Sequence, residues 1–178
     1  MKILELGCGI NKTEGAFGID INPRSSADLI HDLNDLPYPL DANSYDLIIC
    51  RSILEHLDNV IEVMEELHRL GKSGSLVKVT VPFFRSWAAC TDPTHKRFFS
   101  SRSFDYFDKS KPLYELFPYS ECFYSIEKVE YKKFLAGKLK FYDKLFLKIS
   151  NKRKVLFEDR LHFLFIPDEI YFEMRIIK

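Results

Sequence analysis

The chain of 178 residues is 46% hydrophobic and 15% aromatic, and its zero net charge divides into an acidic first part (13 acids, 5 bases over residues 1–70) and a basic remainder (13 acids, 21 bases). This composition suits one domain with one core over residues 1–178 and contains no apolar run near the ~20 residues of a membrane span. Met1 leads into the strand-like KILEL instead of a secretory leader, and Cys8, Cys50, Cys90 and Cys122 form no C-x-x-C pair, so a cytoplasmic protein without disulfides or zinc clusters is expected.

In chain order, residues 3–6, 16–19, 47–50 and 76–81 are short apolar runs of strand length, suited to burial in a parallel sheet. Only seven residues, INKTEGA, separate Gly9 from Phe17, whereas a parallel crossover commonly takes a dozen or more. The first crossover helix is therefore expected to be shortened or absent, leaving a face of the sheet for a later segment or another subunit to cover. After Asn59, apolar residues at 60, 63, 64, 67 and 70 repeat at helical spacing. Asn59 with Glu62 suggests a capping box, and Gly71 marks the C-terminal stop. Residues 123–134 and 169–177 alternate as strands. Between them lies a basic amphipathic insert at about 135–167, in which a helix from about residue 139 would align Lys140, Lys144, Lys148 and Lys152 in one stripe and Tyr142, Leu145, Phe146 and Ile149 on an apolar face. The stretch 138–157 suits either a lid over the sheet and pocket or a peripheral contact with an anionic membrane. The expected fold is α/β, a Rossmann-like doubly wound, mostly parallel sheet ending in an antiparallel hairpin.

Glycines at the end of a first parallel strand let the backbone turn sharply beside a ligand, and an acid ending the next strand can accept hydrogen bonds from ribose hydroxyls. Gly7, Gly9 and Asp20 stand in those places. The dinucleotide fingerprint is broken, because Lys12 occupies its third glycine position and Asp20 follows Gly7 by thirteen residues instead of roughly twenty.

In series, ELGCG, GID, HDLNDLPYP, SYDLIICRSILEHL and SLVKVTVP resemble the class I S-adenosylmethionine-dependent methyltransferases over residues 3–82. The chain starts at the first strand, as a minimal member of that family would. The resemblance implies S-adenosylmethionine as cofactor, with Glu5, Gly7, Cys8 and Gly9 in the loop that cradles its methionine part. Asp20 would hold the ribose, Asp32 and Leu33 the adenine, and Arg51 and Ser52 would lie beneath the cofactor. Cys8 receives no chemical role.

Ligands in open α/β sheets lie beyond the carboxyl ends of the strands, which directs attention to VPFFRSWAACTDPTHKRFF after the fifth strand. His95 is the candidate general base, with Asp92 as its orienter and His56 as the alternative base. Phe83 and Trp87 would line the acceptor pocket and Arg97 would clamp an anionic group. No Asn/Asp-Pro-Pro-aromatic motif follows the fourth strand and no Pro-Cys occurs, which disfavours nucleic acid as acceptor, and no metal-ligand spacing is visible. The expected acceptor is a small metabolite or a glycan or lipid precursor. A non-catalytic cofactor-binding regulatory module and a nucleotide-dependent oxidoreductase are the alternatives.

Overall fold

A computed structural model describes residues 1–134 and 140–178. Seven strands form one sheet in the order β3-β2-β1-β4-β5-β7-β6, with β1 Ile3–Leu6, β2 Ala16–Asp20, β3 Leu29–Ile30, β4 Tyr45–Arg51, β5 Gly71–Pro82, β6 Phe123–Lys132 and β7 Glu169–Ile177. The first five strands run parallel, and β7 is antiparallel to both β5 and β6. This is the expected Rossmann-like sheet.

The expected absence of a first crossover helix is also found: turns alone connect β1 to β2. Strand register shows the consequence. Leu4, Ile48, Val77 and Met174 lie side by side, as do Leu6, Cys50, Val79 and Phe172, so the buried side chains alternate onto one face. Helix α1 (Val60–Leu70) covers that face with Val63, Met64, Leu67 and Leu70. The opposite face carries half-exposed residues, among them the Lys78–Glu173 pair at 3.4 Å.

The signals for α1 work in part as expected. The Asn59 side chain accepts hydrogen bonds from the amides of Ile61 and Glu62 at 3.1 and 3.4 Å. Gly71 ends the helix in extended, not left-handed, backbone (φ −74°). Its lack of a side chain serves packing, because a Cβ there would lie 2.3 Å from Ile176 Cδ1.

Short helices α2 (Trp87–Thr91) and α3 (Pro112–Leu116) follow β5, and α4 (Phe141–Lys152) with single turns at 154–156 and 157–161 forms the insert. Residues 135–139, where the helix was expected to start, lie outside the described residues. The insert packs on the already covered face: Phe157 meets Phe83 and Tyr131, and Asn151 bonds the backbone of Tyr131 on edge strand β6. It does not cover the bare face beside β1 and β2. The outward side of α4 is apolar, with Phe141 83% and Tyr142 51% exposed, while Phe146 stacks inward on Phe165. Tyr142, Leu145, Phe146 and Ile149 lie at the expected helical spacing on α4, but of the four only Phe146 packs inward, the others being 39–51% exposed. No helix among the described residues is long and apolar enough to cross a membrane.

Candidate functional site

The loop after β1 turns at Gly7 and Gly9, both in left-handed backbone (φ +62° and +53°). A side chain at Gly7 would meet Ile53 within 2.6–2.9 Å, whereas a Cβ at Gly9 would meet nothing, and the Gly9 amide and carbonyl are bonded to Asp20 and to the Ser26 amide, each at 2.8 Å. Without a helix behind it, this loop is braced by side chains. Glu5, 1% exposed, accepts from the Thr13 amide at 2.6 Å and pairs with Arg51, which also reaches the Asn11 carbonyl at 3.0 Å. The side chains of Glu5 and Arg51 thus act as a strut between β1, β4 and the loop. Cys8 is buried behind the loop, and burial together with the charges of Asp20 and Glu5 raises its thiol pKa, so it stays a neutral packing residue.

Asp20 at the end of β2 accepts from the amides of Gly9 and Asn22, each at 2.8 Å, which aligns the two loops beside a cavity of about 150 Å³. Gly7, Asp20, Asp32 and Leu33 line this cavity, joined by Ile21, Asn34, Ile53 and Leu57. Asp32 accepts from the backbone amide and side chain of Asn34 at 2.9 and 3.0 Å. Two carboxylates across an apolar-walled cavity suit an adenosyl group: one acid for ribose hydroxyls, one for an exocyclic amine.

A second cavity, of about 510 Å³, adjoins the first and shares His56 with it. Ser52, His56, Trp87, Asp92 and His95 all line it, so the three candidate catalytic residues come together across 40 residues of sequence. The TDPTHKR segment is strapped onto the Leu54–His56 turn after β4. The amides of Lys96 and Arg97 donate to the Glu55 carbonyl at 2.8 and 3.2 Å, Lys96 Nζ pairs with Asp58 at 2.7 Å, and the Arg97 guanidinium bonds the Asp58 carbonyl. The result sets the His56 and His95 rings 4.6 Å apart between centroids.

Hydrogen bonding assigns both tautomers. His95 Nδ1 lies 3.1 Å from the Ala89 carbonyl, which can only accept, so Nδ1 carries the proton and Nε2 a lone pair. Thr94 donates its hydroxyl proton to Asp92 at 2.6 Å, and the Thr94 amide adds a second bond at 2.8 Å. These bonds hold the Asp92 carboxyl below its ordinary pKa. Thr94 Oγ1 must then accept from His56 Nδ1 at 2.9 Å, leaving a lone pair on His56 Nε2 as well. Asp92 therefore orients His56 through Thr94, and not His95 as expected. Burial, followed by the nearby His95, lowers the His56 pKa and keeps that ring neutral.

Two placements differ from expectation. Phe83 is fully buried in the core, 5.5 Å from the Tyr131 ring, and lines neither cavity. Arg97 is a strap to Asp58 facing a different groove, not a clamp in the acceptor cavity. No metal-ligand spacing is visible along the sequence, yet the fold brings ligand atoms of Glu55, His56 and His95 within 4.8 Å of one another. Trp87 is on the cavity wall, 65% exposed and edge-on to Phe134. Glu55 was missed: it is 1% exposed, neither carboxylate oxygen has a partner, and burial, with the charges of Glu169 and Asp92, pushes its pKa up to about 7. Its apolar neighbours in SILEHL concealed it.

Residues 4–79 match the family model described as a methyltransferase domain. Among solved structures, an S-adenosylmethionine-dependent methyltransferase from Archaeoglobus fulgidus superposes with a TM-score of 0.58 at 16% identity, covering 98% of this chain and 85% of that one. One from Mesorhizobium loti gives 0.53 at 17% identity, covering 98% and 90%. The plantazolicin methyltransferase BpumL, in complex with SAH, gives 0.57 at 15% identity, covering 100% and 76%. At these identities the structural likeness establishes the fold. No curated protein sequence matches the chain.

Proposed function

We propose that the chain is an S-adenosylmethionine-dependent methyltransferase and that it acts on a small metabolite or a glycan or lipid precursor. The family model over residues 4–79 and the shared fold support the enzyme class and the cofactor. The observation that supports the acceptor class is the meeting of two cavities at His56. One has the acids suited to an adenosyl group. The other, at about 510 Å³, is within the range of small-molecule pockets and is walled by Trp87, Ala88, Pro82 and Phe134.

S-adenosylmethionine supplies an electrophilic methyl group, and the protein's part is alignment and proton handling. Gly7, Gly9, Asp20, Asp32 and Leu33 would hold it at the mouth of the acceptor cavity. His95 Nε2, or His56 Nε2 beside it, is free to take a proton from an acceptor hydroxyl or amine. Incubating the purified chain with methyl-labelled S-adenosylmethionine and fractionated cell extract tests this. Label is expected in nuclease- and protease-resistant small-molecule or lipid material. Label confined to protein or nucleic acid would exclude the proposed acceptor class, and no label despite S-adenosylhomocysteine binding would favour the regulatory module.

The outward face of α4 supports a peripheral membrane contact over a simple lid. Exposed Phe141, Tyr142 and Leu145 stand beside Lys144, Lys148 and Lys152, a combination that suits an anionic surface, where each lysine contributes about 1 kcal/mol. Co-sedimentation with liposomes is expected to rise with anionic lipid, to fall with salt, and to disappear on replacing Lys140, Lys144 and Lys148 with Glu. Absence of binding to strongly anionic vesicles at low salt would leave α4 as a lid.

A further inference from the structure

We propose that Glu55, His56 and His95 form an open three-ligand site for a divalent transition-metal cation on the wall of the acceptor cavity. Two independent features point there. The first is the convergence of ligand atoms: one carboxylate and two imidazoles within 4.8 Å of one another, all on the cavity wall. Metal–ligand bonds of about 2.0–2.2 Å set neighbouring donors about 3.3 Å apart in a tetrahedral site, so a closure of about 1.5 Å shared among three side chains completes the geometry.

The second is Glu55 itself. A carboxylate 1% exposed with both oxygens unpartnered is an expensive arrangement for a protein to keep, and the group it lacks is a cation. The strap residues cannot supply one: Lys96 is committed to Asp58, and Arg97 bonds the Asp58 carbonyl.

The imidazoles are prepared as ligands. Each donates its Nδ1 proton to a fixed acceptor, His95 to the Ala89 carbonyl and His56 to Thr94, which Asp92 holds in turn. Each therefore presents an Nε2 lone pair, the arrangement by which outer partners orient metal-bound histidines. Two imidazoles with one carboxylate favour zinc, iron, cobalt or nickel over magnesium or calcium, which prefer all-oxygen sites. Three protein ligands leave a position open toward the cavity. Resting on the proposed methyl-transfer reading, that position would bind an acceptor oxygen, and a hydroxyl bound there would lose its proton to water more readily. Cation binding itself does not depend on that reading.

The test uses the full chain after chelator treatment, titrated with Co²⁺ and Zn²⁺ by calorimetry, with the visible absorption of Co²⁺ as a second readout and S-adenosylhomocysteine affinity measured in parallel. One cation per chain is expected. Glu55→Gln and His95→Ala should each weaken binding by at least about tenfold, and Thr94→Val, which removes no ligand but the link from Asp92 to His56, by about the same factor. Retained S-adenosylhomocysteine affinity shows that each variant is folded. Binding weaker than about 100 μM, on the millimolar side of the affinity scale, would overturn the proposal. So would a Co²⁺ spectrum unchanged in the His56→Ala/His95→Ala double variant, or a signal abolished by Cys90→Ser. Stoichiometric binding without methyl transfer would instead refute the acceptor reading and leave the cation site standing.

Discussion

Asp20→Ala is expected to weaken S-adenosylhomocysteine binding by about 30- to 150-fold, or about 2–3 kcal/mol, the scale of charge-assisted hydrogen bonds to a diol. Asp20 lies on the first cavity wall at the end of β2, where a ribose would sit against the turn at Gly7 and Gly9. It also accepts the amides of Gly9 and Asn22, so the alanine variant loosens the loop as well as removing the ligand contact. Asp20→Asn is the intermediate case. The Gly9 and Asn22 amides bond to different oxygens of Asp20, so asparagine keeps an acceptor for one of them, loses the other and the charge, and should fall between the native chain and Asp20→Ala. Calorimetry with S-adenosylhomocysteine, and with NAD as a control that should not bind, measures both. An unchanged affinity in Asp20→Ala would remove the assignment of this cavity to the cofactor.

The frame of the first cavity was legible in the sequence because it is local. A strand, two glycines in left-handed backbone and an acid ending the next strand are set by residues close along the chain, and INKTEGA was too short to hide a helix. Asn59 likewise capped α1 from within its own turn. What could not be read depends on tertiary contacts. Phe83 and Trp87 look alike as aromatics after β5, yet one is in the core and the other on the cavity wall, because residues 154–161 arrive from the distant insert to bury Phe83. The roles of Arg97 and Lys96 are fixed by bonds to Asp58, almost forty residues earlier. Glu55 adjoins His56 in sequence, but its burial and its approach to His95 exist only once the TDPTHKR segment is strapped down. The relay to His56 runs through Thr94, a residue that sequence reading passed over between two more conspicuous neighbours.

His95→Ala should lower kcat for methyl transfer by about a hundredfold or more while S-adenosylhomocysteine affinity stays within about twofold. The split is expected because His95 lines only the acceptor cavity, whereas Asp20 and Asp32 line only the cofactor cavity. The Ala89 carbonyl, in the middle of α2, holds the His95 Nδ1 proton and leaves the lone pair on Nε2. Losing the ring removes the group that receives the acceptor's proton or, in the cation reading, a ligand of the cation whose bound hydroxyl releases its proton to water, without touching the strut of Glu5 and Arg51 beside the first cavity. His56 is the internal comparison. Its ring is kept neutral by burial and by His95, and it borders both cavities, so His56→Ala should affect cofactor affinity as well as turnover. If the two imidazoles act as one unit, the double variant will be scarcely slower than His95→Ala alone, since the loss of one already disables the pair. Full activity of His95→Ala on the true acceptor would transfer the role to His56 or leave alignment as the whole of catalysis, and a parallel loss of cofactor affinity would show that the two cavities are not separable.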